Sequence, residues 1–133
     1  FREPYVRRGA SDYSFKSGFD SAAQMLALPE RPTALLCISD VLALGAIASA
    51  REMGLRVPED VTVVGFDDVE HTTMFHPHVT TVAQPCAGIG ERAMELLEGA
   101  ISRVGPPRET LLPHRLIVRE SSAPPSGSPG QGR

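Results

Sequence analysis

Two short apolar runs limit what this chain can fold into more than any other feature. TALLCIS at 33–39 and VTVVGF at 61–66 show no alternation of apolar and polar residues. A strand with one wet face alternates; a strand covered on both faces, as in a parallel sheet, does not. VTTVA at 79–83 is a shorter run of the same kind, and RLIVR at 115–119 reads as a last strand.

Helical stretches separate these runs. FKSGFDSAAQMLAL at 15–28 places Phe15, Phe19, Ala22, Ala23 and Leu26 on one face, and Pro29 and Pro32 stop it. Residues 41–53 read as a second helix, with Asp40 as its expected N-cap and Gly54 just past its end. CAGIGERAMELLEGAIS at 86–102 is a third, with Ile89, Ala93, Leu96, Leu97 and Ile101 along one side. Strands alternating with helices predict an α/β fold, a mostly parallel sheet flanked by helices. With 133 residues the chain holds one domain at most, assigned here to 1–120. SSAPPSGSPGQGR at 121–133 is rich in Pro, Gly and Ser and predicts a disordered tail.

Charge and targeting signals narrow the function. The net charge of −3 leaves no basic stripe for nucleic acid, and only Arg7-Arg8 break the pattern. No stretch reaches the ~20 apolar residues of a membrane span, and no signal peptide opens the chain, which points to a cytoplasmic setting without membrane contact. Cys37 and Cys86 have no metal-ligand spacing around them and read as free thiols.

The polar residues carry the functional signal by their position. Ser39-Asp40, Asp67-Asp68 and Gln84 each follow one of the apolar runs directly. In an open parallel sheet ligands bind outside the carboxyl ends of the strands, so these groups would share one cleft. Carboxylates and amides suit a polyhydroxy ligand, because each can hold two neighbouring hydroxyls. Tyr13, ahead of the first helix, could lay its ring on the apolar side of a sugar. Simpler roles stand beside each: Asp40 as a helix cap, Asp67 and Asp68 as turn formers, Tyr13 as an ordinary aromatic. Val41 to Ala48 is eight apolar residues in a row, wrapping the whole second helix. Either a partner subunit meets its outer side, with Leu44 as a contact, or the helix is buried inside a larger domain.

An ordered series of motifs resembles the effector-binding domain of the lactose/galactose-repressor (LacI/GalR) family. The elements are P-T-A before the first strand, A-L-G-A, G-L-R-V-P-E-D-V, V-V-G-F-D-D, P-H-V-T-T-V-A-Q-P and L-I-V-R-E-S. They run over residues 9–124. The resemblance implies a periplasmic-binding-protein-like (type I) lobe, incomplete here, with a helix-turn-helix headpiece and most of a second lobe preceding Phe1. It implies a small effector between the lobes, often a sugar or nucleoside, a homodimer, and operator DNA contacted only through the headpiece.

Residue by residue, the resemblance puts Asp67 on ligand hydroxyls, Ser39 where the family usually has Asn, and Tyr13 where Trp or Phe often stacks. Gln84 and Cys86 fall at the crossing between lobes, Cys86 in place of a common aromatic. Leu44 and Phe75 match dimer-interface positions. The helix at 86–102 would pack on the other lobe, so this chain alone is expected to bind effector weakly or not at all, to expose apolar surface and to self-associate.

Catalysis finds no support. His71, His76 and His78 sit near the Asp pair, but their spacing fits no common metal pattern and Pro77 makes the segment a loop. No enzyme, cofactor or metal is expected. A periplasmic sugar-binding protein of a transporter is the alternative that shares the fold; the G-L-R-V-P-E-D-V wording favours the repressor.

Overall fold

Ser14 and Ser39 start the first two helices in the same way: extended backbone, with a hydroxyl accepting from an amide in the first turn. The computed structural model describes Val6 and residues 12–102 and 109–124. Its elements are α1 (Phe15–Leu26), β1 (Ala34–Leu36), α2 (Asp40–Glu52), β2 (Thr62–Asp67), a 3₁₀ turn (Glu70–Thr73), β3 (Thr80–Ala83), α3 (Cys86–Ile101) and β4 (Arg115–Ile117). Ser39, not Asp40, is therefore the cap of α2, since its Oγ accepts from Leu42 N at 3.3 Å. Gly54 ends that helix as expected. At φ 75° its N–H donates to Arg51 O and Leu55 N–H to Ala50 O, a Schellman pair.

The four strands lie in chain order in one sheet, β1, β2 and β3 parallel and β4 antiparallel to β3. Register places Leu35 beside Val63 and Gly65 beside Thr81 on one face, which α2 covers. The core is Leu35, Val61, Val63 and Val79 beneath Ala43, Ala46, Ile47 and Ala50, with Ala22 and Leu26 of α1 beyond. Small residues let the helices approach closely. A methyl added at Gly18 would overlap the backbone of Leu42, and one at Gly45 the backbone of Phe15. Of the face expected for α1, Ala22 and Leu26 are buried, whereas Phe15 is exposed; Ser17 and Gly18 take up the rest of the contact. A glycine contact carries no hydrophobic signal in the sequence.

The opposite face departs from expectation. The runs in β1 and β2 predicted strands buried on both sides, yet Leu36 is 79% exposed, and Leu116 and Val118 are also exposed. Leu36, Val64 and Phe66 with Val82 and Leu116 share this uncovered face by register. α3 has no buried residue, and Arg92 Nε on it donates to Thr110 Oγ1, in the segment before β4, at 3.1 Å. Ile89, Met94, Leu97 and Ile101 are exposed on it. Among the described residues, no helix is long and apolar enough to cross a membrane.

The tail also begins later than its composition suggests. Ser121 is fully buried: its Oγ donates to Val63 O at 2.6 Å and accepts from Thr80 N at 2.8 Å. Backbone bonding to Val63 and His78 stitches it between β2 and the start of β3. Serine and alanine after a strand look like linker in sequence; here they satisfy donors and acceptors of β2 and β3 near the start of those strands. The rest of the expected tail, residues 125–133, lies outside the described residues.

Two neighbouring leucines test the one-sided core. Leu35→Ala should cost about 2–5 kcal/mol in urea unfolding. Leu36→Ala should stay within about 0.5 kcal/mol. Equal losses would show that both faces are packed.

Candidate effector site at the strand tips

Parallel β1, β2 and β3 send their carboxyl ends to one edge of the sheet, so Ser39, Asp67 and Gln84 come to the same side. Asp67 and Gln84 meet directly. Gln84 Nε2 donates to Asp67 Oδ1 at 2.5 Å, and both residues are half-buried. The backbone there is strained: Asp67 has φ 112° and Asp68 φ 59°, conformations that L-residues rarely adopt. Such strain costs on the order of 1–3 kcal/mol per residue and persists where surrounding contacts enforce it, commonly at ligand sites.

Two side chains enforce it. Arg119, from the segment after β4, donates from Nη2 to Asp68 Oδ1 at 2.6 Å, and from Nη1 to Thr72 Oγ1 and Val79 O. Asp40 works from below. Its Oδ1 accepts from Thr81 Oγ1 at 2.6 Å and its Oδ2 from Val69 N at 2.9 Å. Burial pushes its carboxyl up, while the bonds from Thr81, Val69 and Asp68 oppose that. Gly65 makes the room, because a Cβ there would overlap Asp40 Oδ1.

The residues chosen from sequence therefore separate. Asp40, read as a ligand contact, is fully buried with both oxygens engaged internally, so it holds the loop and does not face the cleft. Ser39 reaches the edge but is buried, and its hydroxyl caps α2. Tyr13 is 66% exposed, just ahead of α1. Cys86 is exposed at the first turn of α3, and its N–H donates to Gln84 O at 2.9 Å. Cys37 is half-buried, and burial beside Asp40 pushes its thiol up to about 12, so it stays protonated.

Sequence reasoning missed two features. Arg119 stood in the L-I-V-R-E-S segment without a role, because its partners Asp68 and Thr72 are distant in sequence. The rings of Phe66 and His114 lie 6.1 Å apart beside the strand tips, and nothing in their spacing pairs them.

A second feature lies on the outer side of α2. An apolar groove of about 410 Å³ is lined by Phe15, Val41, Leu44, Ile47, Ala48 and Phe75, among others. Leu44 and Phe75 are the two positions singled out as interface residues. α2 thus spends its all-round apolar surface three ways: on α1, on the sheet and on this groove.

Comparison with known proteins agrees with this architecture. The family described as "Periplasmic binding protein-like domain" matches residues 2–122. The transcriptional repressor CytR of Escherichia coli strain K12 is 47% identical over 93 residues, 70% of this chain and 27% of CytR. The chain thus spans about a quarter of that curated relative. The dimeric Lac repressor structure aligns at TM-score 0.78 with 36% identity, over 86% of this chain and 42% of that one. A CelR–cellobiose complex aligns at 0.81 with 34% identity, over 92% and 37%. The fold and strand-tip site define a periplasmic binding protein-like domain. The chain belongs to that family, and within it resembles the corresponding part of LacI/GalR-type repressors in both sequence and fold.

Thr81→Val leaves Asp40 Oδ1 without its hydroxyl donor and should cost about 1–3 kcal/mol in urea unfolding at neutral pH. Because that bond favours the ionised carboxyl, whose pKa burial already raises, the penalty should shrink as the pH falls through Asp40's titration. A penalty independent of pH would show that Asp40 is not ionised in the fold.

Proposed function

We propose that this chain is the effector-sensing and dimerising part of a bacterial transcriptional repressor, acting in the cytoplasm and without catalysis. The observation that carries this reading is the Asp67–Gln84 pair on strained backbone at the tips of two parallel strands. A carboxylate and an amide side by side present acceptors and a donor in a half-exposed position. They suit the paired hydroxyls of a sugar or the ribose of a nucleoside. Cellobiose in a structural neighbour supports a sugar-like class. Similarity to repressors, over both sequence and fold, favours this over a transporter's sugar-binding protein.

In this reading Asp67 holds ligand hydroxyls, with Gln84 orienting the carboxylate. Ser39 and Tyr13 border the cleft, and Cys86 lies where the chain crosses to the other lobe. Arg119 and Asp40 fix the Asp67 loop beforehand, which reduces the ordering cost of binding. α3, whose apolar side chains are exposed, faces the second lobe. Operator DNA is contacted through a headpiece outside this chain.

The intact regulator tests the site. A panel of sugars and nucleosides titrated calorimetrically should yield an effector whose affinity drops at least about tenfold in Asp67→Asn, since the amide keeps one acceptor oxygen but loses the charge and replaces the second acceptor with a donor. The same ligand should shift operator affinity in a mobility assay. Unchanged affinity in Asp67→Asn would overturn the assignment.

We further propose that the α2 groove is the surface on which a second copy of the chain docks. Its apolar lining includes both Leu44 and the 62% exposed Phe75, and the Lac repressor neighbour is dimeric. Phe75→Asp should move the sedimentation coefficient from dimer toward monomer with the circular dichroism spectrum unchanged. Identical sedimentation of the two proteins would exclude the groove.

A further inference from the structure

We propose that His76, His78 and Glu120 form a binding site for a divalent transition-metal ion of the zinc, copper or nickel class. In sequence the two histidines flank Pro77 in a loop, a spacing that gave no metal pattern, and Glu120 stands 44 positions from His76. The fold supplies the third ligand. His76 Nδ1 lies 2.9 Å from Glu120 Oε2, and His78 Nδ1 lies 3.6 Å from Glu120 Oε1. The imidazole rings stack at 4.3 Å between centroids with 24° between planes, and the candidate ligand atoms all lie within 4.8 Å of one another. Ligands about 2.0–2.2 Å from a tetrahedral ion stand about 3.3–3.6 Å apart, so shifts of a few tenths of an ångström to about 1 Å would seat the ion.

Both walls of the site are fixed without an ion. His78 N donates to Glu120 Oε2 at 3.0 Å, and Ser121 N donates to His78 O at 3.0 Å. Ser121 itself is buried and locked to Val63 and Thr80. On the other side the Arg51 guanidinium donates to the carbonyl of His76. A preformed pair of elements lowers the ordering cost of binding, as in designed metal sites that fail when their support is loose.

Donor chemistry selects the ion. Two imidazoles and one carboxylate suit zinc, copper and nickel, whereas magnesium and calcium favour all-oxygen sets. His76 is 74% exposed, which leaves the remaining coordination positions to water. On binding, a nitrogen that carries a proton releases it to solvent and ligates through the freed lone pair, so affinity falls with acidification. The ion would clamp the loop just after Phe75 to the end of the chain's last sheet segment, fixing one wall of the α2 groove.

The test uses the 133-residue chain with Cys86→Ser, which removes the exposed thiol as a competing ligand. Zinc chloride titrated calorimetrically should bind saturably at one ion per chain, and magnesium chloride should give no heat. His76→Gln, His78→Gln and Glu120→Gln should each weaken zinc by about tenfold or more, the size of effect seen when a metal site loses support. His71→Gln should bind like the parent. Copper(II) electron paramagnetic resonance of the parent should show hyperfine coupling from two imidazole nitrogens, a readout independent of how the variants fold. Absence of saturable zinc binding, zinc affinity in His76→Gln and His78→Gln equal to that of the parent, or a copper spectrum without imidazole coupling would each overturn the proposal.

Discussion

The carboxylate of Asp40 sits fully buried where α2, β3 and the loop after β2 meet, and the geometry of the strand tips depends on it. One oxygen holds Thr81 and the other holds the amide of Val69. Burying a carboxylate without partners is costly, so each lost bond would leave charge uncompensated in the core. Its place is available because residue 65 is glycine. The loop can therefore turn sharply at Asp67 and Asp68 without a side chain from β2 intruding. Strain in that turn is offset by bonds from three separate parts of the chain, since Gln84 and Arg119 restrain the two aspartates from the far side.

This arrangement divides labour among acidic residues that look alike in sequence. Asp40 supports, Asp68 anchors through Arg119, and Asp67 is left half-exposed with an amide beside it. The Asp67 carboxylate is already oriented by its contact with Gln84, the kind of preorganisation that lowers the ordering cost of binding. Arg119 also joins the last sheet segment to Thr72 and Val79, so the tip of β2 and the loop carrying Phe75 share a support. Arg119 thus bonds both to the strand-tip loop and to the turn that precedes the α2 groove. A connection of this kind is a physical route by which ligand could bias subunit contacts, provided the supporting segment has two arrangements.

The sheet's other face and α3 both carry apolar side chains that the described residues leave uncovered. Parallel sheets are ordinarily covered on both faces, and here α2, backed by α1, covers one while Leu36, Leu116 and Val118 stay exposed on the other. α3 presents a further apolar stripe, with Leu97 and Ile101 uncovered. Its sequence has the amphipathic period of a packed helix, so the pattern was written for a neighbouring surface.

Much of this was legible beforehand. Unalternating apolar runs located the three parallel strands, β2 and β3 to within a residue and β1 ending three residues early. The polar residues that follow them come to one edge, because chain direction alone puts the ends of parallel strands together. Gly54 announced its helix end through a conformation other residues avoid. The roles of individual polar residues were not legible. Asp40 and Asp67 follow strands alike, and only burial separates a support from a contact. Ser121 reads as linker until the backbone donors of Val63 and Thr80 surround it. His76, Glu120 and Arg119 acquire partners 44, 44 and 51 positions away. Local sequence determines periodicity, direction and caps, which act over a turn or a strand. Which side chains meet across the sheet is decided by the packed chain, since those meetings arise from register and from the space that residues such as Gly65 leave empty.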